Sequence, residues 1–262
     1  MKDFTILTYR HLLQEFKKNN CKFLTLQEYF TSNLLPFSQS INQHFVILRH
    51  DVDRSPKNSL KTAILEYELG IKASYYFRIV KESNQPKIIK QIVELGHEIG
   101  YHYEDLANAN GDYQKAIQSF EKNLNYFRQF YPVKTICMHG SPLSKWDNRK
   151  LWEKCDYQKY RIICEPYFDL DFDKVFYITD AGRAWNNENV SIRDKVETNF
   201  KFKINSTQDI INLYKSNQLP NQIMISTHPH NWADNPLEWY KILFWQSIKN
   251  IIKRRIIKIG SK

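Results

Sequence analysis

Short apolar runs alternate along this chain with stretches whose apolar residues recur at helical spacing. Phe45-Val-Ile-Leu48 reads as a buried strand and runs straight into Arg49-His-Asp-Val-Asp53. Ser55-Pro56 marks a helix start, with Ser55 as cap and the proline in the first turn. Leu60, Ala63, Ile64 and Tyr67 continue that helix, and Gly70 stops it. Ala73-Ser-Tyr-Tyr-Phe77 is the next strand and ends in Arg78. Pro86 opens a helix carrying Ile88, Ile89, Ile92 and Val93, and Gly96 closes it. The strand Glu98-Ile-Gly-Tyr101 ends in His102. A third helix runs from Asp112, with Ile117, Phe120, Leu124 and Phe127 on one face. Thr135-Ile-Cys-Met138 is a strand ending in His139. Thr207 to Tyr214 reads as helix and leads into the strand Ile223-Met-Ile-Ser226, followed by Thr227-His228-Pro-His230.

This alternation predicts parallel βα units, with strands covered on both faces. Each strand ends in a polar or metal-competent side chain, which is where α/β barrels carry their active sites. Asp51, Asp53, His102, His139 and His228 all fall at such ends. They converge on one rim if the strands close into a barrel. Asp51 and Asp53 point to the same side if the extended geometry persists. Two carboxylates so placed are unfavourable unless they share a metal or a proton. A hydrolase uses such a pair, one to hold a metal and one to take a proton. The competing reading is a strand-to-helix cap, in which one Asp satisfies backbone N–H groups.

The length of 262 residues suits a single α/β barrel, and no Gly/Ser linker divides it. We divide the chain into a barrel domain, 1–236, and a basic amphipathic C-terminal helix, 237–262. The net charge is +10 and is concentrated at that end. From Leu237 onward, Lys241, Lys249, Lys253, Arg254, Arg255, Lys258 and Lys262 face Glu238 alone. Trp239, Tyr240, Phe244, Trp245, Ile248, Ile251, Ile252 and Ile256 lie among them. Such a helix either packs on the barrel with its basic side in water or lies on an anionic membrane. No nucleic-acid motif accompanies the charge, so nucleic acid is not an expected partner. Cys21, Cys137, Cys155 and Cys164 show no C-x-x-C spacing and read as buried thiols of a reducing compartment. The first residues contain no long apolar stretch, and no run approaches the roughly 20 residues of a membrane span. The expected location is the cytoplasm, with peripheral contact at the inner face of the membrane.

The ordered set of motifs resembles the polysaccharide deacetylase superfamily, the NodB-homology fold of carbohydrate esterase family 4. His50-Asp-Val-Asp53 resembles its first, Asp-rich motif. Gly96-His-Glu-Ile-Gly-Tyr-His102 resembles its second, and Ser74-Tyr-Tyr-Phe77 the aromatic strand between them. Cys137-Met-His-Gly-Ser-Pro142 falls at the third motif and Ser226-Thr-His-Pro229 at the last histidine. The resemblance covers roughly Phe45 to Trp232 and is similar to that of deacetylase-like proteins of surface-polysaccharide clusters. It implies a distorted (β/α) barrel that removes an N-acetyl group from an amino sugar. By the same resemblance Asp51 is the general base, His228 the acid, and Asp53 and His102 are ligands of a divalent metal, with zinc expected. The second motif normally supplies another histidine four residues on, where this chain has Leu106. His139 is the expected substitute, with Glu104 and Asp105 as alternatives. His97 precedes its strand and reads as structural.

A three-ligand site with an open position suits zinc, which lowers the pKa of bound water to about 7. Arg78, Asp180 and Arg183 are candidates for holding the hydroxyls or a phosphate of an N-acetylated sugar or glycan, and Trp185 for stacking on its ring. Two other functions fit the same residues. One is a metal-dependent hydrolase of another C–N bond, and one is a carbohydrate-binding relative without catalysis.

Overall fold

The structure is a computed structural model that describes residues 2–31, 44–186 and 193–260. Side chains of Lys253, Arg255, Ile256, Lys258 and Lys262, which belong to the basic tail, lie outside the described part. Seven parallel strands form one sheet: β1 (Lys22–Leu24), β2 (Phe45–Val52), β3 (Ser74–Phe77), β4 (Glu98–Tyr103), β5 (Ile136–Met138), β6 (Phe176–Thr179) and β7 (Gln222–Thr227). The spatial order is β5-β4-β3-β2-β7-β6, and β1 pairs with the first half of β2. The sheet curls into a distorted barrel that stays open between β5 and β6. There, among the described residues, only a bridge from Thr135 to Cys164 continues the pairing beyond β5.

The helices are α1 (Ile6–Lys18), α2 (Leu26–Thr31), α3 (Pro56–Glu68), α4 (Pro86–Glu94), α5 (Asp105–Asn108), α6 (Tyr113–Phe127), α7 (Pro166–Asp169), α8 (Thr207–Lys215) and α9 (Pro236–Gly260). Strand and helix positions thus follow the apolar pattern closely between residues 45 and 138. Pro56 and Pro86 sit in the first turns of α3 and α4, where a missing N–H costs nothing. Gly70 and Gly96 end them with φ of 66° and 86°. Ser55 departs from expectation: it lies in the left-handed region, and its side chain makes no cap hydrogen bond. No helix among the described residues is long and apolar enough to cross a membrane.

The two-residue period of the strands separates two cores. Val46, Leu48, Tyr75, Phe77, Ile99, Tyr101, Ile136, Ile178, Ile223 and Ile225 face outward and pack with Leu12, Ala63, Ile89, Phe120 and Ile210 of the helices. Ile47, Tyr76, Cys137, Tyr177 and Met224 face inward and fill the barrel floor. Tyr76 reaches across this floor to Thr135, 2.7 Å away. It fits because β4 has Gly100 beside it; a Cβ there would come within 2.2 Å of the Tyr76 ring.

Candidate metal and acid–base site

Counting onward from the floor along the inward-facing positions builds the site. On β2 these are Ile47, Arg49 and Asp51. On β4 they are Gly100 and His102, and on β7 Met224 and Ser226, with His228 just past the strand end. Arg49 is fully buried and grips Asp51 with two hydrogen bonds, Nε to Oδ1 at 2.8 Å and Nη2 to Oδ2 at 2.5 Å. Burial alone would raise the Asp51 pKa, but the Arg49 charge outweighs it and holds the carboxyl at about 2. Asp53 lies one residue beyond β2, where the chain turns and its N–H bonds the Asp51 carbonyl at 3.1 Å. Both carboxylates reach His102: its Nε2 is 3.5 Å from Asp53 Oδ1 and 3.9 Å from Asp51 Oδ2.

His139 follows β5, and its Nε2 is 3.6 Å from the same Asp53 Oδ1. Each imidazole is oriented from behind. His102 Nδ1 faces the Cys137 carbonyl at 2.9 Å, an oxygen that can only accept, so Nδ1 carries the hydrogen. His139 Nδ1 lies 2.9 Å from Glu104 Oε2 and donates to it. Glu104 in turn is clamped by Arg78 through Nε at 2.9 Å and Nη2 at 2.7 Å. Burial pushes the His139 pKa down, so this ring is neutral and its Nε2 presents a lone pair. Asp53 Oδ1 is buried and accepts no hydrogen bond. An orphaned carboxylate oxygen costs at least about 1–3 kcal/mol, and here it faces two imidazole nitrogens whose hydrogens are on the far side. A cation between them removes that cost. Two ligand atoms at about 2.0–2.1 Å from a tetrahedral ion sit roughly 3.4 Å apart, close to the 3.5 and 3.6 Å from Asp53 Oδ1 to each imidazole, whereas the set whose ligand atoms, among the described residues, all lie within 4.8 Å of one another is Asp51, His102 and Cys137.

A second grouping overlaps this one. Ligand atoms of Asp51, His102 and Cys137 all lie within 4.8 Å of one another and can hold a metal deeper in the barrel. Burial raises the Cys137 thiol well above its ordinary range, and its Sγ–H points to the Met138 carbonyl at 3.7 Å. Each oxygen of Asp51 also accepts one hydrogen bond from Arg49. His102 is common to both groupings.

On the opposite wall, His228 Nδ1 lies 2.6 Å from Asp180 Oδ1. Asp180 also accepts from the His228 backbone N–H at 2.9 Å and from Trp232 Nε1 at 2.9 Å. Burial pulls the His228 pKa down, but Asp180 more than offsets it and brings the imidazole up to about 10. His228 is therefore a held imidazolium, with Nε2 available as donor.

Several residues expected to touch substrate do other work. Arg78 spends its donors on Glu104 and, at 3.4 Å, on the Asp53 carbonyl. Asp180 is fully buried behind His228. Arg183 is buried between the rings of Phe4 and Trp239, 5.5 and 4.6 Å from their centres. Trp185 is only 3% exposed, packs on Phe4 and Trp232, and donates to Thr207 Oγ1. Asp180, Arg183 and Trp185 are thus buried, while Arg78 is partly exposed. Asp105 is enclosed by Tyr101, Ser119 and Asn123, away from the two imidazoles. Leu106 is a core residue. His97 bonds Ala63 and Ala73 on the outer side of the sheet. Glu104, Arg49 and Tyr167 were not assigned these positions from sequence. Tyr167 packs on Arg49, with its hydroxyl 3.2 Å from Nη2. It lines, with Arg149 and Tyr177, a cleft beside Arg49.

No protein-family model and no curated protein matches the chain. Among solved structures it is similar in fold to members of the CE4 family. One is a Bacillus anthracis pseudoenzyme, at 13% identity over 81% of this chain and 62% of that one, with a TM-score of 0.43. Another is a mutant of such a pseudoenzyme with restored enzymatic activity, at 13% identity, 81% and 64% coverage and a TM-score of 0.44. A third is a Streptococcus mutans CE4 esterase, at 16% identity, 84% and 87% coverage and a TM-score of 0.44. The chain spans less than two thirds of the length of the first two.

Proposed function

We propose that this chain is a metal-dependent hydrolase that removes an N-acetyl group from an amino sugar of a surface polysaccharide. The observation that carries this reading is the orphaned Asp53 Oδ1, faced by Nε2 of His102 and His139. Asp53, His102 and His139 would hold the ion, and their oxygen and imidazole donors suit zinc. When bound, the ion supplies Lewis-acid polarisation of the acetamide carbonyl and acidifies water. The remaining steps belong to the side chains around it. Asp51, ionised and fixed by Arg49, accepts a proton from the attacking water. Glu104 and Arg78 keep His139 in register. His228, protonated at neutral pH, gives its Nε2 proton to the sugar nitrogen as the C–N bond breaks. Acetate and a free amine leave. The neighbouring sugars lie in the cleft lined by Arg149, Tyr167 and Tyr177.

The test is acetate release from a panel of N-acetylated sugars and glycans, free, nucleotide-linked and lipid-linked, by protein saturated with zinc. Asp51→Asn should keep the metal and lower turnover about 10²–10⁴-fold. Zinc-loaded protein that releases no acetate from any member, or Asp51→Asn with unchanged turnover, would sink the proposal.

A further inference from the structure

The C-terminal helix α9 carries a feature that the site chemistry does not use. Its inner face is polar and specific. Trp239 donates from Nε1 to the Asp3 carbonyl at 2.7 Å and covers Arg183. Gln246 is buried. Asn250 donates to the Gly182 carbonyl at 2.8 Å, in the turn between Asp180 and Arg183. Positions 239, 246 and 250 share one side of a 3.6-residue helix. The far side carries Leu237, Tyr240, Phe244, Trp245, Ile248, Ile251 and Ile252, with Leu243 at its margin, all exposed. Leu237 is 84%, Phe244 61% and Trp245 54% exposed. Among the described residues, eight of the fourteen exposed large hydrophobics sit on this one helix, so they form a stripe rather than a scatter.

We propose that this outer face docks the protein on an anionic lipid bilayer, with α9 lying in the plane of the interface. Charge selects the occupant. From Leu237 to Lys262 the sequence holds seven basic residues against Glu238, and Glu238 is turned inward to Asn58 and the Asp234 N–H. Lys241 and Arg254, both exposed, accompany the apolar stripe. A partner protein of ordinary surface would leave this excess cation unmatched, whereas an anionic headgroup layer matches it and accepts the stripe into its acyl boundary. Tyr240 and Trp245 have the amphipathic rings that settle at headgroup level. No helix among the described residues is long and apolar enough to cross a membrane, and the proposal places α9 along the surface. The docked helix abuts the turn that carries Asp180, and hence the wall that holds His228.

The experiment is co-sedimentation of the full chain with vesicles of phosphatidylcholine alone or with about one third phosphatidylglycerol, at low and high salt. It is run beside Phe244→Ser/Trp245→Ser/Ile248→Ser, whose positions are solvent-exposed and outside the site. We expect at least tenfold more binding to the anionic vesicles, weakened by salt as screening requires, and lost in the triple variant while its thermal unfolding is unchanged. Equal binding to neutral vesicles, no binding, or a wild-type dimer that becomes monomeric in the triple variant would overturn the proposal. The readout is binding, so its outcome is separate from that of the acetate assay.

Discussion

Strand β2 separates two histidine–carboxylate clusters that share a composition and differ in everything else. On its outer side His50 meets Glu66 of α3, with Nε2 2.7 Å from Oε1. Tyr9 and Tyr75 donate to the same carboxylate at 2.5 and 2.7 Å, and Thr227 meets the other His50 nitrogen at 2.7 Å. Both Glu66 oxygens and both His50 nitrogens have partners, and both side chains are fully buried. On its inner side, one residue away in sequence, Asp51 and Asp53 face His102 and His139. There an oxygen is left without a hydrogen bond, and the side chain that carries it reaches solvent. A closed cluster locks two layers together and has no spare valence. An open one has a valence to offer. The alternation of side chains along a strand is what sends neighbours in one motif to these two fates.

Changes to the closed cluster should cost fold, and changes to the open one should cost metal. The largest effect is expected from Glu66→Ala, which strips His50, Tyr9 and Tyr75 of their acceptor. Removing one partner of a buried pair costs about 3–5 kcal/mol, so urea unfolding should shift by that much. Zinc affinity of the remaining folded protein should not change. If instead the variant is as stable as wild type but binds zinc poorly, the two clusters are not independent.

Glu104→Gln probes the open cluster through its support. The change keeps the size of the group that orients His139 and removes its charge. Loss of such an outer partner typically weakens metal binding about 10–100-fold, with little effect on unfolding. Calorimetric zinc titration should show this, and an unchanged affinity would mean that His139 does not depend on Glu104.

The smallest effect is expected at Asp105, the acidic neighbour that the structure turns into the core. Burial raises its pKa to about 6, and hydrogen bonds from Ser119, Tyr101 and Asn123 only partly offset this. A carboxyl with a raised folded pKa favours the protonated fold. Its contribution is therefore greatest below the unfolded value near 3.8 and falls as pH rises through 6. Asp105→Asn should lose nothing by that titration. Its melting temperature relative to wild type should climb between pH 4 and pH 7, with metal content unaltered. A flat difference across that range would show that Asp105 is not the buried acid described.

The sequence made the strand ends legible because each strand is a compact apolar run and each terminates in a polar side chain. That alone placed Asp51, Asp53, His102, His139 and His228 on one rim. The strand β6 has the same apolar character in Phe176-Tyr-Ile-Thr179, and Asp180, at its end, pairs with His228 only through the neighbouring β7. The second layer was not legible for a different reason. Arg49 meets Asp51 within its own strand, but Arg78 meets Glu104 only because β3 and β4 are neighbours, and His139 meets Glu104 only because β5 lies next to β4. Such pairings depend on strand order, which local pattern does not specify. The burial of Trp185 and Arg183 was not legible because residue type says nothing of burial in a loop. The proximity of Cys137 to His102 likewise follows from the β4–β5 register.

The central claim is that the open cluster, Asp53 with His102 and His139, holds one divalent ion. It is tested most directly by elemental analysis of protein refilled with zinc and dialysed, comparing wild type with Asp53→Asn, His102→Ala, His139→Ala and Cys137→Ala. The account predicts one ion per chain in wild type and in Cys137→Ala, and loss of the ion in the other three. An ion that is lost in Cys137→Ala yet retained in His139→Ala would contradict it and move the metal to the deeper set of Asp51, His102 and Cys137.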